Sequence, residues 1–155
     1  NVAWSTGSVF PIWKKMFLEN KKILTTGPNM RRFFFTIGDA VNLVNYALNN
    51  SKKFSGKIVC AEMRSALMID VIKVWINKFG GSYKIIGGRK GDRIDEYLIG
   101  ENELQYTSKI TNKKKNYFII DFNIKSKNSI KKIISSENSK KLNNTEILNL
   151  LKFGM

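Results

Sequence analysis

The chain has 155 residues, which is enough for one domain with a buried core, and 43% of them are hydrophobic. Lysine and arginine number 27 against 12 aspartate and glutamate, so the net charge of +15 favours an anionic partner, while the lack of histidine excludes histidine-based catalysis and the usual zinc sites. No apolar run approaches the roughly 20 residues that cross a bilayer, and no signal segment is visible, so we expect a cytoplasmic protein with no membrane partner.

The first third of the chain predicts two helices and two short strands. A helix is expected over residues 8–20 with Ser8 at its start. The segments KKILTT and RFFFT are strand candidates on either side of a Gly-Pro-Asn turn signal. Thr36 and Asp39 form a capping box, with Asp in place of Glu, that opens a helix with one apolar face ending at Asn50.

The rest of the chain continues the alternation of strands and helices. GKIVCA and YKIIGG are strand candidates around a helix in SALMIDVIKVWINKF, and the single Cys60 lies in the first of them as a core residue. Residues 107–116 are polar and basic and predict a loop, YFIIDF predicts a strand at a sheet edge, and NNTEILNLLKF predicts a final helix capped by Asn144 or Thr145. The order favours an α/β fold. We expect one domain over residues 1–155, with a C-terminal tail over about 123–155. In the helix predicted from SALMIDVIKVWINKF, the apolar stripe consists of Met68, Ile72, Trp75 and Phe79.

Two basic segments could hold a phosphorylated ligand. Arg32 stands at the edge of an apolar segment, where partial desolvation strengthens bidentate hydrogen bonds to phosphate. In GRKGDR, Arg89 precedes a glycine turn, and Asp92 could accept hydrogen bonds from ribose hydroxyls. A surface arginine beside a strand and an ordinary charged turn are the alternative interpretations. The sequence contains neither a glycine-rich dinucleotide turn nor a Tyr-x-x-x-Lys pair.

Several ordered motifs resemble one enzyme family. NVAWSTGSVFP, PNMRRFFFT, IGDAVNLV, GGRKGDRIDEYL, YFIIDF and ISSENSKKL follow one another as in the C-terminal half of extended short-chain dehydrogenase/reductases of polysaccharide biosynthesis. The likeness runs from Asn1 to about Leu151. It is nearest to the inverting UDP-N-acetylglucosamine 4,6-dehydratases.

The resemblance implies a set of substrate-binding residues. Arg32 and Arg89 match the two arginines that grip the diphosphate of a UDP-sugar, and Asp92 matches the residue that meets the uridine ribose. The remaining matches are Asn1, beside the sugar diphosphate, and the loop residues Ser5, Gly7, Ser8 and Val9. The chain departs from the family pattern at Thr6, Arg31, Lys90 and Arg93, which leaves the particular sugar open.

The resemblance also implies a fold, a cofactor and a partner. The chain resembles the C-terminal part of an extended Rossmann-type enzyme, an α/β fold of helices with short strands. In family enzymes, bound NADP or NAD takes a hydride from C4 of the sugar, water is eliminated across C5 and C6, and the hydride returns to C6. The parts of these enzymes that bind the cofactor lie upstream of the position that matches Asn1. We therefore expect a substrate-binding half without catalytic residues, inactive alone, whose partners are a UDP-sugar and the missing N-terminal cofactor-binding half. A fragment is favoured over a split subunit or a decayed enzyme, and a homo-oligomer is left open.

Two other functions compete with this interpretation. Lysines interleaved with tyrosine near NKKKNYF would suit a module that binds single-stranded nucleic acid, although no regular basic helix face supports it. A non-catalytic assembly subunit would bind neither ligand. Titration with UDP-N-acetylglucosamine and single-stranded DNA at two salt concentrations separates the three.

Overall fold

The computed structural model describes residues 2–88 and 90–155, so Asn1 and Arg89 lie outside the described residues. It has the predicted mixed α/β architecture. The helices are α1 Val9–Asn20, α2 Ile37–Asn49, α3 Ser51–Phe54, α4 Met68–Phe79 and α5 Asn144–Lys152, with a 3-10 helix at Glu101–Tyr106. The strands are β1 Lys22–Thr25, β2 Arg31–Phe34, β3 Ile58–Ala61, β4 Arg64–Leu67, β5 Ser82–Ile85, β6 Tyr97–Ile99, β7 Thr107–Asn112, β8 Lys115–Ile120 and β9 Ile134–Ser135.

The strands form small sheets. β1 pairs with β5 in parallel, and three antiparallel groups join β2 to β4, β6 to β9, and β3 to β8 to β7. The connection from β1 to β5 runs through α2 and α4, as a parallel pair requires a long crossover. Within the part of the chain that the structure describes, no helix combines the length and the apolar character needed to cross a lipid bilayer.

The main core lies between α1, α4 and α5. Trp13 and Trp75 meet edge to face with ring centroids 6.1 Å apart, and Ile147 and Leu151 of α5 pack into the same cluster. Burying each large side chain contributes about 1.5–3 kcal/mol. The predicted stripe of α4 is confirmed, because Met68, Ile72 and Trp75 are buried in this cluster and Phe79 packs against it. This core fixes the direction of α1.

The predicted capping box of α2 is confirmed. Thr36 accepts a hydrogen bond from the backbone N–H of Asp39, and the Asp39 carboxylate accepts one from the backbone N–H of Thr36. The apolar face of the helix is not buried in this chain, because no residue of α2 is buried. The side chains that are more than half exposed are Ile37, Val41, Val44 and Leu48.

The prediction of a loop over residues 107–116 was wrong. The segment forms a hairpin of β7 and β8, whose two-residue turn consists of Lys113 and Lys114, both with positive φ. YFIIDF does not lie at an edge, since β8 is the central strand of its sheet and its Phe118 and Ile120 pack with Ile99 in a second core.

Two smaller corrections concern element ends. The final helix is capped by Asn143, one residue before the predicted cap, and residues 65–67 belong to β4 and precede the helix that was predicted to include them. The predicted C-terminal tail carries β9 and α5, and α5 contributes to the main core.

A cleft beside two clasped arginines

Two adjacent arginines of β2 bind the same neighbouring stretch of chain, residues 93–96, which we call the 93–96 segment. Successive side chains of a strand point to opposite faces, so Arg31 and Arg32 approach this segment from opposite sides. On the first side, the backbone N–H of Arg31 donates to the Ile94 carbonyl at 2.8 Å, and Nη1 of Arg31 lies 2.8 Å from Oδ2 of Asp95. The segment thus runs along the free edge of β2.

Arg32 holds the second side of the segment. Its Nη1 donates to the carbonyl oxygens of Arg31 at 2.7 Å and Ile94 at 3.1 Å, and its Nη2 donates to the Arg93 carbonyl at 2.8 Å. Its Nε lies 3.8 Å from Oε1 of Glu96. The guanidinium is three-quarters buried, with 24% of the side chain exposed, so these charge-assisted bonds are partly shielded from water.

Glu96 joins the segment to the backbone of β2. Its Oε2 accepts a hydrogen bond from the backbone N–H of Phe33 at 2.9 Å, while its Oε1 faces Arg32. Phe33 itself is buried, as expected for a residue that anchors the strand. A donor at the strand edge is thereby satisfied by a side chain.

A cleft of about 500 Å³ opens between the start of α1, the β1–β2 connection and the 93–96 segment. Arg32, Asp92 and Glu96 line its polar side. Its apolar wall includes Phe10 and Phe34, whose rings stack with centroids 5.5 Å apart. A mainly apolar cavity with a few converging polar groups is the usual form of a small-molecule site.

The N-terminus of α1 also borders this cleft. Ser8 occupies the N-cap position and Val9 begins the helix, and both line the cleft. The Ser8 hydroxyl makes no cap bond and, among the described residues, its buried Oγ has no hydrogen-bond partner. The first turn carries no acidic residue, so the partial positive charge of the helix end is not offset there.

The six predicted site residues that the structure describes divide into two groups. Ser8, Val9, Arg32 and Asp92 line one cleft, although they come from three separate parts of the sequence. Ser5 and Gly7 do not line it but shape the turn before α1, where the Ser5 hydroxyl donates to the Val2 carbonyl at 2.8 Å and Gly7 has a φ of +78°. That positive φ favours glycine.

Asn1 and Arg89 are the two predicted site residues that fall outside the described residues. Convergence of Arg32 and Arg89 on one diphosphate therefore stays a prediction. Among the described residues, the ionisable groups that line the cleft are one cation, Arg32, and two carboxylates, Asp92 and Glu96.

Sequence reasoning missed Glu96 and its neighbour Asp95. Both follow the basic turn directly, and an acidic pair of this kind complements the basic pair in PNMRRFFFT. Charge complementarity was the signal that could have found them, because adjacent arginines on a strand point to opposite faces and each can take an acidic partner.

The chain is similar in sequence to known proteins over most of its length. The chain is 30% identical over 161 residues to an uncharacterized membrane protein of Methanocaldococcus jannaschii, which covers 98% of this chain and 47% of that protein. It is 32% identical over 126 residues to the inverting UDP-N-acetylglucosamine 4,6-dehydratase of Campylobacter jejuni, covering 81% of this chain and 35% of that enzyme.

A solved structure supports the fold. The X-ray structure of Pen from Bacillus thuringiensis superposes with a TM-score of 0.84 at 26% identity and covers 100% of this chain and 47% of that one. The chain thus spans at most about half the length of each of these three proteins. The family described as polysaccharide biosynthesis protein matches residues 1–121, and the chain belongs to that family.

Proposed function

We propose that the chain is the nucleotide-sugar-binding part of a sugar-nucleotide 4,6-dehydratase or epimerase of surface polysaccharide or glycan biosynthesis, with a UDP-N-acetylglucosamine-like substrate in the cleft beside α1. The observation that carries the proposal is the meeting of Arg32, Asp92 and the open N-terminus of α1 in one cleft. Membership of the polysaccharide biosynthesis family supports the same substrate class.

The proposed roles follow from donor and acceptor chemistry. The backbone N–H groups of Val9 and Phe10 in the first turn of α1, where Pro11 has none, are donors suited to phosphate oxygens. The guanidinium of Arg32 is a donor suited to the same oxygens. The carboxylate of Asp92 is an acceptor suited to ribose hydroxyls. Arg89 is proposed as the second diphosphate ligand and Asn1 as a neighbour of the sugar.

Binding of a diphosphate by Arg32 involves an exchange of partners. Both terminal nitrogens of Arg32 already donate to carbonyl oxygens of residues 31, 93 and 94. Nη2 also donates to Sδ of Met30 at 2.8 Å, and a thioether sulfur is a weak acceptor. A phosphate oxygen that binds Nη1 or Nη2 therefore replaces either this sulfur or one of the carbonyls, and the negative charge of the phosphate favours the replacement.

The sequence does not fit a nicotinamide cofactor site of its own. It lacks the glycine-rich strand-to-helix turn that receives a dinucleotide diphosphate and lacks the Tyr-x-x-x-Lys pair. We therefore propose that NADP or NAD is held by an N-terminal half outside this chain, and that this chain alone has no turnover.

The test is a titration of the chain with UDP-N-acetylglucosamine, with single-stranded DNA as the competing ligand, at low and high salt. The proposal expects saturable UDP-sugar binding that Arg32→Ala weakens by about 1.5–3 kcal/mol. Lys109→Ala is the control, because it also removes one positive charge, but Lys109 of β7 pairs with Glu62 and does not line the cleft. No response to the nucleotide sugar, or equal losses in both variants, would contradict the proposal. DNA binding that falls steeply with salt would favour the nucleic-acid module.

A further inference from the structure

We propose that Ser136, in the loop between β9 and α5, is a positioning residue for the cleft: its hydroxyl group fixes Asp95 and Glu96, and through them the two arginines of β2. The inference rests on the proposed function, because it assigns this serine a part in shaping the nucleotide-sugar site. Ser136 is 40 or more residues from the segment that it holds and belongs to the ISSEN stretch, to which the sequence assigned no role.

Ser136 contacts the 93–96 segment through three hydrogen bonds. Its Oγ donates to Oδ1 of Asp95 at 2.9 Å and accepts from the backbone N–H of Glu96 at 2.9 Å. Its backbone N–H donates to the Glu96 carbonyl at 2.8 Å. Ser136 is fully buried, and Asp95 and Glu96 are partly buried, with 19% and 28% of their side chains exposed, so water compensates only in part for a lost Ser136 hydroxyl.

The other side of Ser136 is attached to β4. The buried hydroxyl of Ser65 donates to the Ser136 carbonyl at 2.6 Å, and Nζ of Lys141 donates to the same oxygen at 2.6 Å. Burial lowers the pKa of Lys141, and the charge of Arg31 lowers it further, so this ammonium has exchanged part of its water for protein acceptors.

These contacts close a ring of bonds around the site. β4, which carries Ser65, pairs with β2, which carries Arg31 and Arg32. The arginines bind Asp95 and Glu96, and Ser136 returns from these residues to β4. Each carboxylate then has two fixed partners, since Asp95 lies between Ser136 and Arg31, and Glu96 lies between Phe33 and Arg32.

The consequence concerns the wall of the cleft. Removing the Ser136 hydroxyl leaves the partly buried N–H of Glu96 without its acceptor and leaves one oxygen of Asp95 without its donor. The 93–96 segment can then shift along β2, and the guanidinium of Arg32 shifts with its carbonyl partners. Ligand affinity depends on that guanidinium and falls with it.

A purely structural serine is the competing explanation, and the same loop supplies its control. Ser139 donates its hydroxyl to the Ser135 carbonyl at 2.6 Å, a bond of similar length within the same loop. Its hydroxyl makes no contact with the 93–96 segment among the described residues. Ser139→Ala therefore removes one hydroxyl hydrogen bond from the same loop, and the Ser135 carbonyl keeps the backbone N–H of Ser139 as a donor at 3.0 Å.

The experiment compares Ser136→Ala with Ser139→Ala by hydrogen exchange and by UDP-N-acetylglucosamine titration. We expect faster exchange of the Glu96 amide, whose acceptor is the Ser136 hydroxyl, and about tenfold weaker binding in Ser136→Ala alone. Asp95→Asn is a second variant that keeps the shape of the side chain but weakens the Ser136 and Arg31 bonds, and it should reproduce both changes if Ser136→Ala folds poorly. Equal exchange and equal affinity in the two serine variants would overturn the positioning role. If the unaltered chain binds no UDP-sugar, the proposed function fails, and the exchange comparison then decides the positioning role by itself.

Discussion

Glu96 stands between Arg32 and the backbone of Phe33, with Oε1 3.8 Å from Nε of Arg32 and Oε2 2.9 Å from the N–H of Phe33. The carboxylate therefore has two separable effects in the cleft, one as a hydrogen-bond acceptor and one as a negative charge. Its shape satisfies a backbone donor at the edge of β2, and its charge opposes any anion that approaches Arg32.

This separation gives a prediction for Glu96→Gln. The amide oxygen can still accept from the N–H of Phe33, while the negative charge is lost from the cleft. We expect UDP-N-acetylglucosamine to bind more tightly, by about 1 kcal/mol, because a like charge is removed from beside the phosphates. Calorimetric titration measures the change, and Glu137→Gln, in the nearby loop but not lining the cleft, is the control. Unchanged or weaker binding in Glu96→Gln would contradict the prediction that the Glu96 charge opposes the ligand.

Glu146 predicts how the chain responds to acid. A hydrogen bond from the backbone N–H of Asn143 and the contact with Arg64 hold the pKa of Glu146 below its usual value. A carboxyl group whose pKa is lower in the folded state stabilises that state above its unfolded pKa, and the stabilisation is lost as the pH falls through the folded pKa. The loss thus begins near the ordinary glutamate pKa of about 4.3 and grows below it.

Glu146→Gln isolates this contribution. The variant cannot lose a charge at this position on acidification, so its unfolding midpoint in urea should fall less between pH 5 and pH 3 than that of the unaltered chain. At pH 7 it should be the less stable of the two. Parallel acid profiles for both proteins would contradict the assignment.

Gly80 and Gly81 after α4 make a matched pair for a backbone test. Both have positive φ, +81° and +89°, a region that favours glycine, so alanine at either should cost about 1–3 kcal/mol. A Cβ at position 81 would lie 2.6 Å from the Lys21 carbonyl oxygen and 2.9 Å from Phe17, whereas one at position 80 would have nothing within 4 Å. We expect Gly81→Ala to cost about 1–3 kcal/mol more than Gly80→Ala in urea unfolding. Equal losses would mean that the β1–β5 junction yields without strain.

The hairpin turn offers a stabilising change. Lys113 and Lys114 have φ values of 45° and 65°, which favour glycine or asparagine at such positions. Lys114→Gly should raise the free energy of unfolding by about 0.5–1 kcal/mol, because relief of left-handed strain exceeds the added chain entropy. Lys114→Ala is the control, since it removes the charge and keeps the strain. If alanine stabilises as much as glycine, charge repulsion among the lysines is the cause.

Elements with a local signal could be predicted from the sequence. The Thr36–Asp39 box marked the start of α2, and the four-residue spacing of Met68 and Ile72 marked the buried face of α4. The hairpin of β7 and β8 was missed because its turn is Lys-Lys, so the residues that announce such turns are absent. Basic residues on both strands then concealed the pairing.

The candidate site was only partly predictable for a related reason. Arg32 and Asp92 were found from chemistry that each shows within its own segment. The partners that orient them are determined by tertiary packing: Glu96 lies 64 positions from Arg32, and Ser136 a further 40 positions on. No spacing rule for a helix or a strand relates residues so far apart.

The opposite orientation of Arg31 and Arg32 has a consequence for how the cleft could open. Arg31 grips the 93–96 segment from the side away from the cleft, and Arg32 grips it from the cleft side. In the proposed function, an incoming diphosphate competes for Arg32 alone. The 93–96 segment can therefore release Arg32 while its bonds to Arg31 keep it in register with β2. The 93–96 segment then rotates about its bonds to Arg31 and returns to the same position when the anion dissociates.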